Sequence, residues 1–78
     1  MAKDDYRIVS ESEDFIQWWN QRRRINVFVF EQTYIPELKR RSHWTFEVVF
    51  IDGRKDISKN IASKSEGIKL AEKFMRTN

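Results

Sequence analysis

Few side chains in this chain are equipped for acid–base, nucleophilic or metal chemistry. There is one histidine, His43, and no cysteine. That removes disulfides, thiolate nucleophiles, thiolate metal sites and any zinc site built on several histidines. The acidic pairs Glu11/Asp14 and Asp52/Asp56 fall on segments that read as surface, where nothing desolvates a carboxyl enough to tune it for proton transfer. The hydroxyls of Ser10, Ser12 and Ser63 stand before helical patterns and read as helix caps. The residue inventory therefore points away from an enzyme, a cofactor, a metal or a small-molecule substrate.

The chemistry that remains is charge. Residues 1–14 carry two basic against five acidic residues, and residues 15–78 carry thirteen basic against seven acidic. The basic residues cluster at Arg22-Arg23-Arg24, Lys39-Arg40-Arg41 and Arg54-Lys55, and recur at Lys59, Lys64, Lys69, Lys73 and Arg76. A basic body fits a polyanionic partner such as nucleic acid, and it equally fits a solvated surface kept apart from its neighbours by charge.

These residues must be held by a small fold. The chain has 78 residues, room for one core only. With no cross-links available, its 14% of aromatic residues must supply much of the buried area. The longest apolar run, Val48 to Ile51, is too short to cross a bilayer, and no secretory signal is visible. An intracellular module, in cytoplasm or nucleus, is expected, with residues 1–9 as a tail or short extended segment and 10–76 as the domain.

The spacing predicts the elements in order. Ser10 or Ser12 caps a first helix with Glu11, Glu13 and Asp14 in its first turn, and Phe15, Ile16, Trp18 and Trp19 form its apolar side. This helix runs to about Arg23, with the three arginines at its C-terminal end. From Asn26 to Ile35 the pattern changes to strand, ending at Pro36. Residues 37–42 form a basic loop. Trp44 to Ile51 is a second strand, apolar on both faces, which a bulge or register change would explain. Asp52-Gly53 is a hairpin turn, and residues 55–61 form a weaker third strand. Ser63 and Glu66 make a capping box before a last helix whose apolar face holds Gly67, Ile68, Ala71, Phe74 and Met75. Phe15, Trp19, Phe28 or Phe30, Phe46, Ala71, Phe74 and Met75 are expected to share one core.

In order and spacing this pattern resembles the double-stranded RNA-binding domain, over about residues 10–76. The stretch from Gly53 to Ala71, GRKDISKNIASKSEGIKLA, matches the family's short strand and the Ser-Lys motif opening its second helix. His43 matches the family's histidine before the second strand, and Phe28-Val29-Phe30 lies where the family has Tyr-x-Leu. Of the family's lysine triplet only Lys64 is kept; Ser65 and Ile68 replace the others, with Lys69 one residue beyond. Trp18 stands where the family has a polar residue facing a minor groove. These departures resemble the weaker class of such domains, which often bind protein.

The resemblance implies an α+β fold, α-β-β-β-α, a three-stranded antiparallel sheet with two helices packed on one face. It implies a non-catalytic, sequence-independent contact with double-stranded RNA. Duplex RNA is recognised through riboses and phosphates across successive grooves. Gln17, Asn20 and Gln21 on the first helix, the loop Lys39, Arg40, Arg41 and His43, and Ser63, Lys64 and Lys69 at the second helix are the candidate contacts. The alternative is a protein-interaction or dimerisation module on the same fold, using Trp18, exposed sheet aromatics or an edge strand. No membrane partner is expected.

Overall fold

A computed structural model describes residues 5–32 and 43–77. Five strands, β1 (Tyr6–Ser12), β2 (Phe15–Asn20), β3 (Ile25–Gln32), β4 (His43–Phe50) and β5 (Lys55–Ile61), precede one helix, α1 (Lys64–Thr77). The strands form a single antiparallel sheet in the order of the chain, β1-β2-β3-β4-β5. The expected three-stranded sheet with two helices, and with it the α-β-β-β-α order, is thus corrected: residues 6–20 form a hairpin where the first helix was expected.

The physical reason lies in the side chains of residues 15–20. Phe15, Trp18 and Trp19 satisfy a helical spacing, but Phe-Ile-Gln-Trp-Trp-Asn also suits a strand with apolar residues on both faces. Ile16, Trp18 and Asn20 are buried, while Phe15, Gln17 and Trp19 are half-buried on the other face. β-branched and aromatic residues fit a pleated, half-buried surface, and the segment has no alanine, leucine or lysine to favour a helix. The residues read as a cap and first turn serve a tight hairpin. Ser12 pairs with Phe15 across Glu13-Asp14, the Ser12 hydroxyl donates to Asp14 Oδ1 at 3.0 Å, and the Asp14 carbonyl accepts from Glu31 N at 2.9 Å. The extended segment expected at Tyr6–Val9 is the first part of β1, and a bulge at Val9 shifts its register against β2.

The second half follows the sequence closely. β3 and β4 pair without interruption from Ile25↔Phe50 to Gln32↔His43. The irregularity expected within β4 lies in its partner β5, where Val48 and Val49 pair with Ile57 and Lys55 and leave Asp56 as the extra residue. Ser63 Oγ accepts from Glu66 N at 3.2 Å, and the Glu66 carboxylate accepts from Ala62 N at 3.2 Å, one residue before the position a capping box uses.

α1 covers one face of the sheet over β3, β4 and β5. Its buried stripe is Gly67, Ala71 and Met75, four residues apart, set against Val27, Val29, Phe46, Val48 and Ile61. Gly67 permits the closest approach. A Cβ there would run into Ile61 Cδ1 and stand 2.6 Å from Val29 Cγ1. Of the expected core, Phe46, Ala71 and Met75 are buried here, Phe74 packs at the margin, and Phe15, Trp19, Phe28 and Phe30 lie on the opposite face.

Gly67→Ala tests this packing. Overpacking against the stiff, fully buried Val29 costs about 1–3 kcal/mol, more than the ~1 kcal/mol an alanine gains over glycine in a helix. Urea denaturation should show a net loss of stability; a net gain would mean that the helix rides higher on the sheet.

Candidate functional site

The face of the sheet turned away from α1 is where side chains gather without a covering element among the described residues. Alternation along β2 and β3 sends Phe15, Gln17 and Trp19, then Asn26, Phe28 and Phe30, to this face, all half-buried. The Phe15 and Phe28 rings lie 5.9 Å apart at 56°, a tilted aromatic contact. On the same face Gln17 Nε2 donates to Asn26 Oδ1 at 2.7 Å, joining β2 to β3 through two amides.

The one carboxylate held within the sheet on this face is neutralised. Glu47, in the middle of β4, accepts from Lys55 Nζ at 3.2 Å and from Ser58 Oγ at 3.0 Å through the same oxygen, Oε2. Beside it Thr45 is buried, with Oγ1 unpaired. The result is a broad surface of aromatic rings, amides and hydroxyls with little net charge. Such a surface can bury against another. Among the described residues no cluster of three or more histidine, cysteine or acidic side chains is placed to hold a metal.

The expected RNA contacts are dispersed. Gln17 belongs to the open face, bonded to Asn26. Asn20 is fully buried on the other face, where its Oδ1 accepts from Arg23 N at 3.0 Å. Gln21 is exposed in the turn between β2 and β3. His43 opens β4, half-buried and paired with Gln32. Ser63 caps α1, and Lys64 Nζ reaches back to the carbonyls of Ser12 and Glu13, each at 3.2 Å. Lys69 is exposed on α1. Lys39, Arg40 and Arg41 lie outside the described residues. Gln17 and Asn20 were expected on one helical surface, but they stand on opposite faces of a strand.

Trp18 and Trp19 exchange the roles expected of them. Trp18 is 8% exposed and belongs to the core beneath the sheet, so it is not an exposed anchor, whereas Trp19 is half-buried on the open face. Phe15 and one of Phe28 and Phe30 were expected in the core, but all three lie on the open face. Burial alternates strictly from Phe15 to Asn20, but the residue types, apolar on both faces, carry no such alternation.

Tyr6 sits where the sheet meets the β2–β3 turn, paired with Asn20. Burial pushes its phenol above the ordinary value. The neighbouring Asn20 side chain and Arg23 pull the other way, and Asp5 adds to the rise. Neither Tyr6 Oη nor Asn20 Nδ2 closes a hydrogen bond of ordinary geometry.

Comparison with family models, with characterised proteins and with solved structures finds no match. No helix among the described residues is long and apolar enough to cross a membrane.

Two measurements check this geometry. Trp18→Ala should cost about 3–5 kcal/mol in denaturant unfolding, and Trp19→Ala less than half as much; the reverse order would invert the two faces of β2. With its pKa raised in the folded state, Tyr6 keeps its proton at pH values where the unfolded chain loses it. Stability should therefore fall as the pH rises through about 10, the ordinary tyrosine value, toward the folded-state pKa. Tyr6→Phe should reduce that alkaline loss and leave stability near pH 7 little changed, because the removed hydroxyl has no partner to lose.

Proposed function

We propose that this domain is a non-catalytic protein-interaction module that associates with a second copy of itself through the open face of its sheet. The observation that carries the reading is the half-buried aromatic set Phe15, Trp19, Phe28 and Phe30 on the face opposite the helix, with its carboxylate already neutralised by Lys55. Rings left half in water gain when a second apolar surface covers them, and sheets commonly pack face to face about 10 Å apart.

Size favours a second copy. Five strands about 4.8 Å apart and some seven residues long at about 3.3 Å each span roughly 20 by 23 Å. Two such faces bring together on the order of 1,000 Å² before side-chain relief is counted, the lower bound of a specific interface. Charge opposes it little, since Glu47 and Lys55 offset each other and Arg7 stands at the β1 margin of the face.

The edges are less suited. β1 exposes Ile8 and Val9, but the bulge at Val9 breaks the regular row of backbone groups that a further strand would need. β5 presents Lys55, Asp56 and Lys59, and charges on an edge oppose strand addition. The duplex-RNA reading draws on three parts: a first helix, the loop of Lys39, Arg40, Arg41 and His43, and Ser63, Lys64 and Lys69 at the second helix; of these, Lys39, Arg40 and Arg41 lie outside the described residues. Residues 10–23 are not helical, and Lys64 is engaged with the carbonyls of the β1–β2 turn.

Sedimentation equilibrium from low to high micromolar concentration tests the proposal. The expected result is a dimer whose affinity changes little with salt. Phe28→Lys should weaken it by about 2 kcal/mol or more while far-UV circular dichroism stays the same. A monomer at every concentration would remove self-association, and an unfolded Phe28→Lys would be replaced by Phe30→Ser for the same comparison.

A further inference from the structure

Two hairpin tips project from the same end of the sheet, and both carry arginine. The β2–β3 tip is Gln21-Arg22-Arg23-Arg24, exposed throughout; the β4–β5 tip runs from Ile51 to Arg54, also exposed. They are bound to each other, because Ile51 N donates to the Arg24 carbonyl at 3.0 Å. Each is also locked internally. Arg23 N donates to Asn20 Oδ1 at 3.0 Å, Gly53 N to the Phe50 carbonyl at 2.9 Å, and Arg54 N to Asp52 Oδ1 at 2.9 Å. The Arg54 guanidinium lies over the Phe50 ring, 4.6 Å from its centroid.

Two features separate this end from a merely solvated surface. Arg24 has a φ of 57°, the left-handed region that glycine or asparagine adopts with less strain. A turn selected only for its geometry would place one of those there. In addition, the two tips carry four arginines against one carboxylate, Asp52. The Arg22 side chain is 83% exposed, and its acidic neighbour Asp5 is at 3.9 Å, the outer limit of an ion pair. Arginine on a fixed backbone differs from a floating charge: its planar fork offers paired donors that match phosphate oxygens, and less order is lost when it binds.

We propose that the two tips form a phosphate-binding end that takes the phosphodiester backbone of nucleic acid, irrespective of base sequence. The tips are exposed and project rather than enclose, so a single small phosphate would meet one arginine at a time. A polymer with regularly spaced phosphates meets Arg22, Arg23, Arg24 and Arg54 together. This site is separate from the open face, and its test reads a different quantity from the self-association experiment.

The test uses fluorescence anisotropy with a labelled duplex DNA and a labelled single-stranded DNA of the same length, at low and at moderate salt. The triple variant Arg22→Gln/Arg23→Gln/Arg24→Asn removes three charges at the tips, with asparagine chosen to suit the left-handed position. Lys59→Gln/Lys69→Gln/Lys73→Gln removes three charges elsewhere. Binding of either DNA by the natural chain, a loss of tenfold or more in the tip variant, a salt slope shallower by about two to three and less than a threefold loss in the second variant support the proposal. Equal losses in the two variants would show that net charge alone is at work and overturn it. So would absence of binding to both DNAs at low salt, or binding only to phosphatidylserine-containing vesicles. Far-UV circular dichroism of both variants keeps a folding defect from passing for lost contacts.

Discussion

The close approach of α1 to β3 at Gly67 fixes the economy of the whole domain. One helix of fourteen residues is the only element covering a five-stranded sheet among the described residues, and it lies over β3, β4 and β5. The small residues Gly67 and Ala71 let its backbone sit low enough for Met75, Val29 and Ile61 to lose their contact with water. Dispersion falls off steeply with distance, so a helix lifted by the width of a methyl group would lose much of the contact that holds it. With no second helix among the described residues, the other face shields itself with rings in contact across neighbouring strands. Its half-buried state is therefore a consequence of the fold, and it is also what makes the face available to a second surface.

The second half of the chain was legible because its signals agree with one another. Asp52-Gly53 turns the chain with Gly53 at a φ of 90°, the strand after it ends at Ile61, and Ser63 caps a helix whose stripe recurs every four residues. The first half failed because its signals fit two structures equally well. Phe15, Trp18 and Trp19 match a period of 3.6 as readily as a period of 2, and over six residues neither can be excluded. Ser12, Glu13 and Asp14 suit a helix start and a tight turn for one reason: short oxygen-bearing side chains bond to nearby backbone and to each other. A helix misplaced there moved every contact residue assigned to it.

That error explains which parts of the candidate site could be read in advance. Gln17 and Asn20, three apart, share a helical surface but lie on opposite faces of a strand, and the strand buries Asn20 completely. The same change of period exchanges Trp18 with Trp19. The four open-face aromatics were visible as residues but not as a surface, because a surface across β2 and β3 exists only once their register is known: Phe15 opposite Phe30, Gln17 opposite Phe28. Register depends on turn length, and the four-residue turn at 21–24 could not be seen inside a supposed helix.

Three departures from ideal local structure lie near one end of the sheet. Arg24 holds a left-handed backbone, Asn20 Nδ2 is buried without a partner, and the Tyr6 hydroxyl beside it is likewise unpaired. All three lie where β1, β2 and β3 meet the arginine tips. Asn20 joins them, since its backbone pairs with both Tyr6 and Ile25 while its side-chain oxygen fixes the Arg23 amide. An apolar residue at position 20 would suit the buried surroundings better, but it would release the turn. Such local conflicts are retained where they hold something in place, and what Asn20 holds is the backbone that presents the arginines. The aromatic face follows strand alternation from Phe15 to Phe30, and it too holds one such exception, the buried and unpaired Thr45 hydroxyl. The two surfaces thus differ in degree: one follows mainly from the packing of the sheet, and the other is held against several local preferences of its residues.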